Sequence, residues 1–371
     1  MSKVIGICNL HDDPHLGLLT ANRPCGAVPF LGRYAIIDFT LSNFSNSHIN
    51  NVYVLIKDGI LSIQNHIGSG AIWTNNTKRG HINILVNEQG LFSPKFNTDL
   101  ANLRHNLPLD EVDFDYAVIA PTFMIGCIDY RPIIAKHEET GADATVVYSH
   151  FDNTKNDFIN CDRLKVGANN KILKIETNLG THAEGDISIE SFIVTKKFLK
   201  KLMNDSVKVS SFFYLRQMIA YCVNEDIGDI RGYQYDGFVF PMLDFEHYVK
   251  NSLNILNYRI RGTLFSEDWP IYTTTHNTPP SLYAKTAEVR NSFVANGSVI
   301  KGKVENSIIS RGVLVEKGAV VTNCIILPGA VVGKDVNANY VVIDAKANVS
   351  IVKDVEGSED KPLYIVQGAK I

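Results

Sequence analysis

From residue 294 onward aliphatic side chains return at every sixth position, and few folds can use such a period. Ile308, Leu314, Val320, Ile326 and Val332 keep the spacing without a break, and two residues before each stands a small or turn-compatible residue: Asn306, Gly312, Gly318, Cys324 and Ala330. A short all-β sandwich would alternate with period two and place its turn clusters at irregular spacing. A period of six with a column of small residues describes a coil of three short flat sides, stacked so that aliphatic side chains fill the interior and small residues turn the corners. This predicts a C-terminal left-handed parallel β-helix of hexapeptide repeats over 286–371, with those five aliphatic residues as its core. Val294 and Ile300 extend the pattern backwards with a slip of two residues before Ile308.

Upstream the pattern is different. Val4–Cys8, Val52–Ile56, Tyr116–Ala120 and Ala144–Tyr148 are short apolar runs of strand length, separated by helix-length segments such as Ile133 to Thr140. Alternation of this kind predicts an α/β domain, Rossmann-like, with a mixed, mostly parallel sheet over residues 1–250. Ligands of such sheets bind outside the carboxyl ends of the strands, which directs attention to the loops after Cys8 and Ala120. Phe212, Leu215, Met218, Ile219 and Cys222 share one face of a helix, and Phe245, Tyr248, Val249, Leu253 and Leu256 share another, with Asp244 as its N-cap. The Thr- and Pro-rich stretch ending in Pro279-Pro280 cannot continue a helix or central strand, so 251–285 reads as a helix followed by a linker.

Composition narrows the partners. The 371 residues carry 36 Lys and Arg against 39 Asp and Glu, a net charge of −3. Nucleic acid or an anionic membrane would ask for a concentrated basic face, and neither is expected as a partner. No run reaches the ~18–20 apolar residues of a membrane-spanning helix, and the start lacks the pattern of a secretory signal. Six scattered cysteines show no C-x-x-C spacing, so neither a zinc site nor a disulfide framework is expected. A cytoplasmic protein is the expectation.

Several segments, in order, resemble the ADP-glucose pyrophosphorylases (glucose-1-phosphate adenylyltransferases): Ile36-Ile37-Asp38-Phe39-Thr40-Leu41-Ser42-Asn43, His66-Ile67 with Trp73, Trp269-Pro270-Ile271, the Pro279-Pro280 pair and the repeats that follow. The resemblance runs from Val4 to about Gly357, with a shortened middle near residues 90–115. It implies a nucleotidyltransferase-like domain joined to the β-helix, and the family reaction, in which glucose 1-phosphate and ATP give ADP-glucose and pyrophosphate. That reaction needs a glycine-rich turn for the triphosphate, basic side chains on the phosphates, and carboxylates for Mg²⁺.

This chain departs from the family at each of these places. The glycine-rich loop is replaced by Cys8-Asn9-Leu10-His11-Asp12-Asp13-Pro14-His15-Leu16, which has no glycine and two carboxylates facing the expected triphosphate. The phosphate-contacting Lys of the next motif falls at Cys25 in Arg23-Pro24-Cys25-Gly26, leaving only Arg23, and Arg does not replace a Lys elsewhere. The two metal-binding Asp positions fall at Phe123 and Pro241, though a shift of one or two residues brings in Asp236 or Asp244. A Glu-Lys-Pro motif for the sugar phosphate becomes Glu176-Thr177-Asn178. Each ~1.4 kcal/mol of lost transition-state stabilisation is tenfold in rate, so losing so many groups together predicts negligible turnover.

No residue is therefore expected to be catalytic or to hold a metal. His11, Asp12, Asp13, His15, Arg23, Cys25, Phe123, Glu176 and Pro241 are expected to mark a vestigial cleft. Within the family this resembles the non-catalytic homologues that accompany the true enzyme in many Gram-positive bacteria. The resemblance implies a regulatory subunit in a heterotetramer with the catalytic pyrophosphorylase, or in a homo-oligomer, with a sugar phosphate as possible effector. Mg²⁺ is then needed only by the partner. The alternative is an active adenylyltransferase with a diverged loop, drawing carboxylates from Asp129, Asp236 and Asp244. A hexapeptide acyltransferase would need a β-helix His, and none follows His276. His11 and His15 are separated by Pro14, which breaks a helical metal-binding register. Lys78-Arg79 with His81, and Arg104-His105, read as solvated basic groups, Asp110 to Asp115 as an acidic stretch facing solvent or a partner subunit, and Cys8 as a buried, inert thiol.

Overall fold

Ile5, Ile7 and Cys8 are buried, as expected of a strand covered on both faces. That strand, Val4–Asn9, lies between Asn51–Ile56 and Tyr116–Pro121 and runs parallel to both, with His81–Val86 continuing the parallel run beyond Asn51–Ile56. The computed structural model describes residues 2–74, 80–88 and 96–371, so Lys78 and Arg79 lie outside the described residues. On the other flank Gly185–Thr195 runs antiparallel to Tyr116–Pro121 and to Ala144–Phe151, with a register break between Ser188 and Ser191. Ile230–Gln234 adds in parallel to Ala144–Phe151, and Asp162–Val166 with Ile172–Thr177 completes an antiparallel edge. The sheet is mixed, as expected, with its parallel part gathered around the first strand.

Helices cover it where the apolar spacing places them. Tyr130–Thr140 begins at the Asp129 cap, which accepts from Arg131 N at 2.9 Å. In Leu215–Asn224 the residues Leu215, Met218, Ile219, Cys222 and Val223 are buried. Phe212 lies before that helix rather than on its face, exposed and stacked on Phe96 with ring centroids 5.0 Å apart. Asp244 caps Phe245–Asn254 by accepting from His247 N at 2.7 Å.

Two compact units emerge, and neither is a continuous block of chain. The first comprises Met1–Asp13, Phe39–Val239 and Asp268–Tyr272, and the second comprises Pro14–Asp38, Phe240–Glu267 and Thr273–Ile371. Against the expected division at 250 and 285, the second unit draws in an early segment and the helices 245–264. Within it, Arg23 is ion-paired with Asp344, and the Tyr248 hydroxyl donates to Pro29 O at 2.7 Å.

The β-helix of the second unit is built from three stacks of parallel strands. Leu314 stacks under Val331 and Val331 under Asn348, each step being 17 residues, one fewer than three hexads require. The coil from Phe293 to Ile308 takes 15 residues, two fewer than the later coils. Because one side of each coil is short, the interior column shifts against a strict period of six. It runs Ile309, Val315, Val321, Ile326 and Val332, with Val313, Ala319, Cys324 and Ala330 also inside. Of the five expected core residues, Ile326 and Val332 are interior. Ile308 is buried outside that cluster, and Leu314 and Val320 are half-buried beside it.

Candidate functional site

At the carboxyl end of the first strand, Asn9 turns its amide onto Asp99, with Nδ2 donating to the carboxylate at 2.7 Å. Asp99 is the first residue of the helix Asp99–Asn106 and is almost wholly buried. It also accepts from Leu215 N at 2.9 Å, so it fixes the start of Leu215–Asn224 as a carboxylate at a helix N-terminus does. Burial pushes its pKa up to about 7, against the hydrogen bonds from Asn9 and Leu215.

That anchoring delivers the next residue, Arg216, into the loop after the first strand. Its guanidinium is ion-paired with Asp12 through Nε, and Nη1 lies 3.2 Å from Asp162 and 3.7 Å from Glu190. Glu190 occupies the register break of Gly185–Thr195 in the left-handed region, at φ 55°, and its N–H donates to Ser188 Oγ at 3.0 Å. Burial raises Glu190 to about 8 even with Arg216 beside it, and it raises Asp162 as well. For Arg216 burial acts downward, but Glu190, Asp12 and Asp162 outweigh it and hold the guanidinium more firmly protonated. Asp13 points to the neighbouring strand end, where its carboxylate accepts the Thr122 hydroxyl at 3.1 Å.

The pocket bounded by Asn9, Asp12, Asp99, Ile119, Pro121, Phe123, Glu190, Phe192, Leu215 and Arg216 retains about 10 Å³ of open volume, room for no more than about one water. Among the residues expected to mark a cleft, the structure brings Asp12 and Phe123 together here, with Asp13 bonded beside them. Asp12 meets Arg216 rather than standing bare before a phosphate. His11 is buried and turned away: Nδ1 donates to Asn97 O at 3.3 Å and Nε2 accepts from Asn102 Nδ2 at 2.9 Å. Burial lowers its pKa to about 4, and a neutral ring with both nitrogens engaged is not available to a metal. His15 is exposed. Arg23 is spent on Asp344 and on Leu19 O, Cys25 is buried in a short 3-10 turn, and Pro241 is buried with its carbonyl taken by Asn251. Glu176 lies on an edge strand, paired with Lys174 at 2.7 Å and Arg163 at 3.2 Å.

The carboxylates nominated for the alternative are also committed: Asp129 to Arg131, Asp244 to His247, and exposed Asp236 to Gln234. Asp99, Asp162, Glu190 and Arg216 were not read from the sequence. The one signal for them is Glu190 itself, a carboxylate inside Ile187-Ser188-Ile189-Glu190-Ser191-Phe192-Ile193-Val194.

The family reaction implies Mg²⁺, and these residues do not fit it. Phe123 offers no ligand atom, and the carboxyl groups that converge here already surround a guanidinium whose charge opposes a second cation. Among the described residues one grouping of metal-ligating side chains is close enough to share an ion, His150 with Asp152 and Glu184, and it is exposed and distinct from this site.

Two family models match the chain. One described as "Nucleotidyl transferase" covers residues 15–158, and one described as "GlmU-like, C-terminal hexapeptide" covers 280–362. A glucose-1-phosphate adenylyltransferase of Clostridium perfringens (strain 13 / Type A) is 30% identical over 322 residues, which is 84% of this chain and 80% of that protein. The glycogen biosynthesis protein GlgD of Bacillus subtilis (strain 168) is 28% identical over 358 residues, covering 94% of this chain and 91% of that protein. A glucose-1-phosphate adenylyltransferase of Bacillus thuringiensis (strain Al Hakam) is 28% identical over 342 residues. On this similarity the chain belongs to the glucose-1-phosphate adenylyltransferase family.

Proposed function

We propose that this chain is a regulatory, catalytically impaired subunit that works with a catalytic glucose-1-phosphate adenylyltransferase in glycogen synthesis in the cytoplasm. The observation that carries the reading is the Arg216 cluster. Where a nucleotide loop would receive a triphosphate, this chain places its own guanidinium with Asp12, Asp162 and Glu190, and the pocket around them is full. An anion arriving there meets carboxyl groups that already engage the Arg216 guanidinium. Stimulation of a partner then has to arise from binding its active conformation more tightly than its inactive one.

The test is ADP-glucose synthesis by the purified chain alone, and by the chain mixed with the catalytic homologue of its own organism. The expected result is no turnover alone and a several-fold rise in the partner's turnover on mixing. A partner indifferent to the chain, with no mixed oligomer on gel filtration, would sink the proposal.

One observation favours a second reading. Three carboxyl groups, Asp12, Asp162 and Glu190, do converge at the strand end beside Arg216, and a chain that kept the family activity would be expected to depend on this cluster. Robust Mg²⁺-dependent synthesis by the isolated chain, lost in Asp12→Asn, would establish that reading instead.

A further inference from the structure

A groove of about 330 Å³ lies within the second unit, between the helices Phe245–Asn254 and Tyr258–Leu264 and one corner of the β-helix. That volume falls in the ~300–1,000 Å³ range of small-molecule sites. The helical wall presents the aliphatic side chains of Val249, Leu253, Leu256 and Ile260 alongside Lys250, Asn254 and Asn257. The other is a column of corner residues from four successive coils, Asn291, Asn306, Asn323 and Tyr340, stacked at the ~4.8 Å repeat of a parallel sheet.

The corner itself does not demand these side chains. All four residues have positive φ, at 40°, 46°, 52° and 49°, but the other corners of the same β-helix meet that requirement mostly with Gly297, Gly312, Gly318 and Gly329. Tyr340 is the sharper case, because an aromatic residue in the left-handed region is strained and such strain gathers at functional sites. Its hydroxyl and the Asn306 amide donors have no protein partner among the described residues, while Asn306 Oδ1 accepts from Asn291 Nδ2 at 2.8 Å.

Asn323 Nδ2 donates to Asn339 Oδ1 at 3.2 Å, so the column offers the Asn306 amide hydrogens as donors and the Asn323 amide oxygen as an acceptor, one coil apart, a pairing that matches neighbouring hydroxyl groups. A phenol and aliphatic side chains match the apolar faces of a sugar ring. Lys250 and Glu359 in the lining carry one charge of each sign, so the groove has no net charge favouring a phosphate. We infer that this groove binds a neutral oligosaccharide, with Asn306, Asn323 and Tyr340 as its recognition residues. The choice of an α-1,4-linked probe rests on the glycogen reading above; the groove's chemistry does not.

Isothermal titration of the full chain with maltotriose, cellotriose and glucose 1-phosphate tests it without any catalytic partner. The comparison variant is the double substitution Asn306→Gly/Asn323→Gly, which keeps left-handed corners and removes both amides; Tyr340→Asn keeps a residue tolerant of that backbone and removes the phenol. Saturable binding of either trisaccharide, weakened at least tenfold in both variants, is the expected result. A preference for cellotriose would support the site while counting against the glycogen reading. No saturable binding of either trisaccharide, undiminished binding in both variants, or stronger binding of glucose 1-phosphate in the groove would overturn the inference.

Discussion

Arg216 is held by carboxyl groups from three parts of the chain, and its removal should leave them buried together without a counter-charge. Stripping one partner from a buried ion pair costs ~3–5 kcal/mol, so Arg216→Ala should lose about that much at pH 8. The loss should shrink toward pH 5, because the abandoned carboxyl groups then take up protons and cease to repel. Urea denaturation at the two pH values checks this, and an equal loss at both would refute it. The wild-type balance has a defined sign. Glu190 is raised from 4.5 to about 8 and Asp99 from 3.8 to about 7, so both bind protons more tightly when folded. Their contribution is present below the unfolded values and is lost as pH climbs toward 7 and 8. His11, lowered from 6.5 to about 4, acts oppositely, and its contribution is lost as pH falls from 6.5 toward 4. Little of this was legible in sequence. The absence of glycine in the loop after the first strand could be read locally, but the cluster the structure builds there could not, since nothing in the sequence around Asp162 or Arg216 joins them to that loop.

The β-helix was legible as an element because its period survives any single substitution. Its register was not, because a coil of 17 residues moves the interior column by one position against a strict count of six. The consequence is measurable. Ile326 is fully buried, and Ile326→Ala should cost ~2–5 kcal/mol. Leu314, half-buried one residue from the interior, should lose less than about 1 kcal/mol on the same truncation. Chemical denaturation of the two variants decides between the registers, since a strict hexad predicts similar losses. The strands Val4–Asn9 and Tyr116–Pro121 were read almost to their ends because buried parallel strands are continuous apolar runs. Gly185–Thr195 was missed, its apolar run broken by Ser188, Glu190 and Ser191 at the bulge.

At the scale of the molecule, the two architectures were readable from the change of period, but the path of the chain between them was not. Nothing in Pro14–Asp38 announces that it belongs with the second unit, because no local pattern encodes a contact with residues hundreds of positions away. Arg23 makes that attachment specific: Nε donates to Leu19 O at 2.9 Å and Nη2 pairs with Asp344, which is 1% exposed and also accepts the Tyr364 hydroxyl at 2.5 Å. Arg23→Ala should cost ~3–5 kcal/mol and expose the segment to chymotrypsin at Phe30 and Tyr34 before the rest of the chain is cut. Arg23→Lys should not restore protection, because an ammonium lacks the planar fork that reaches both acceptors. Cutting at wild-type rates in Arg23→Ala would show that the pair does not hold the segment.

The same pair sets a schedule for biosynthesis. Arg23 and Asp344 are 321 residues apart, and at ~5–20 residues per second the ribosome delivers the second roughly 15–60 s after the first. For that interval the early segment has been made but the partner that neutralises its guanidinium has not. Slower translation should therefore lengthen the time during which the 14–38 segment of a nascent chain lacks this contact and can be cut.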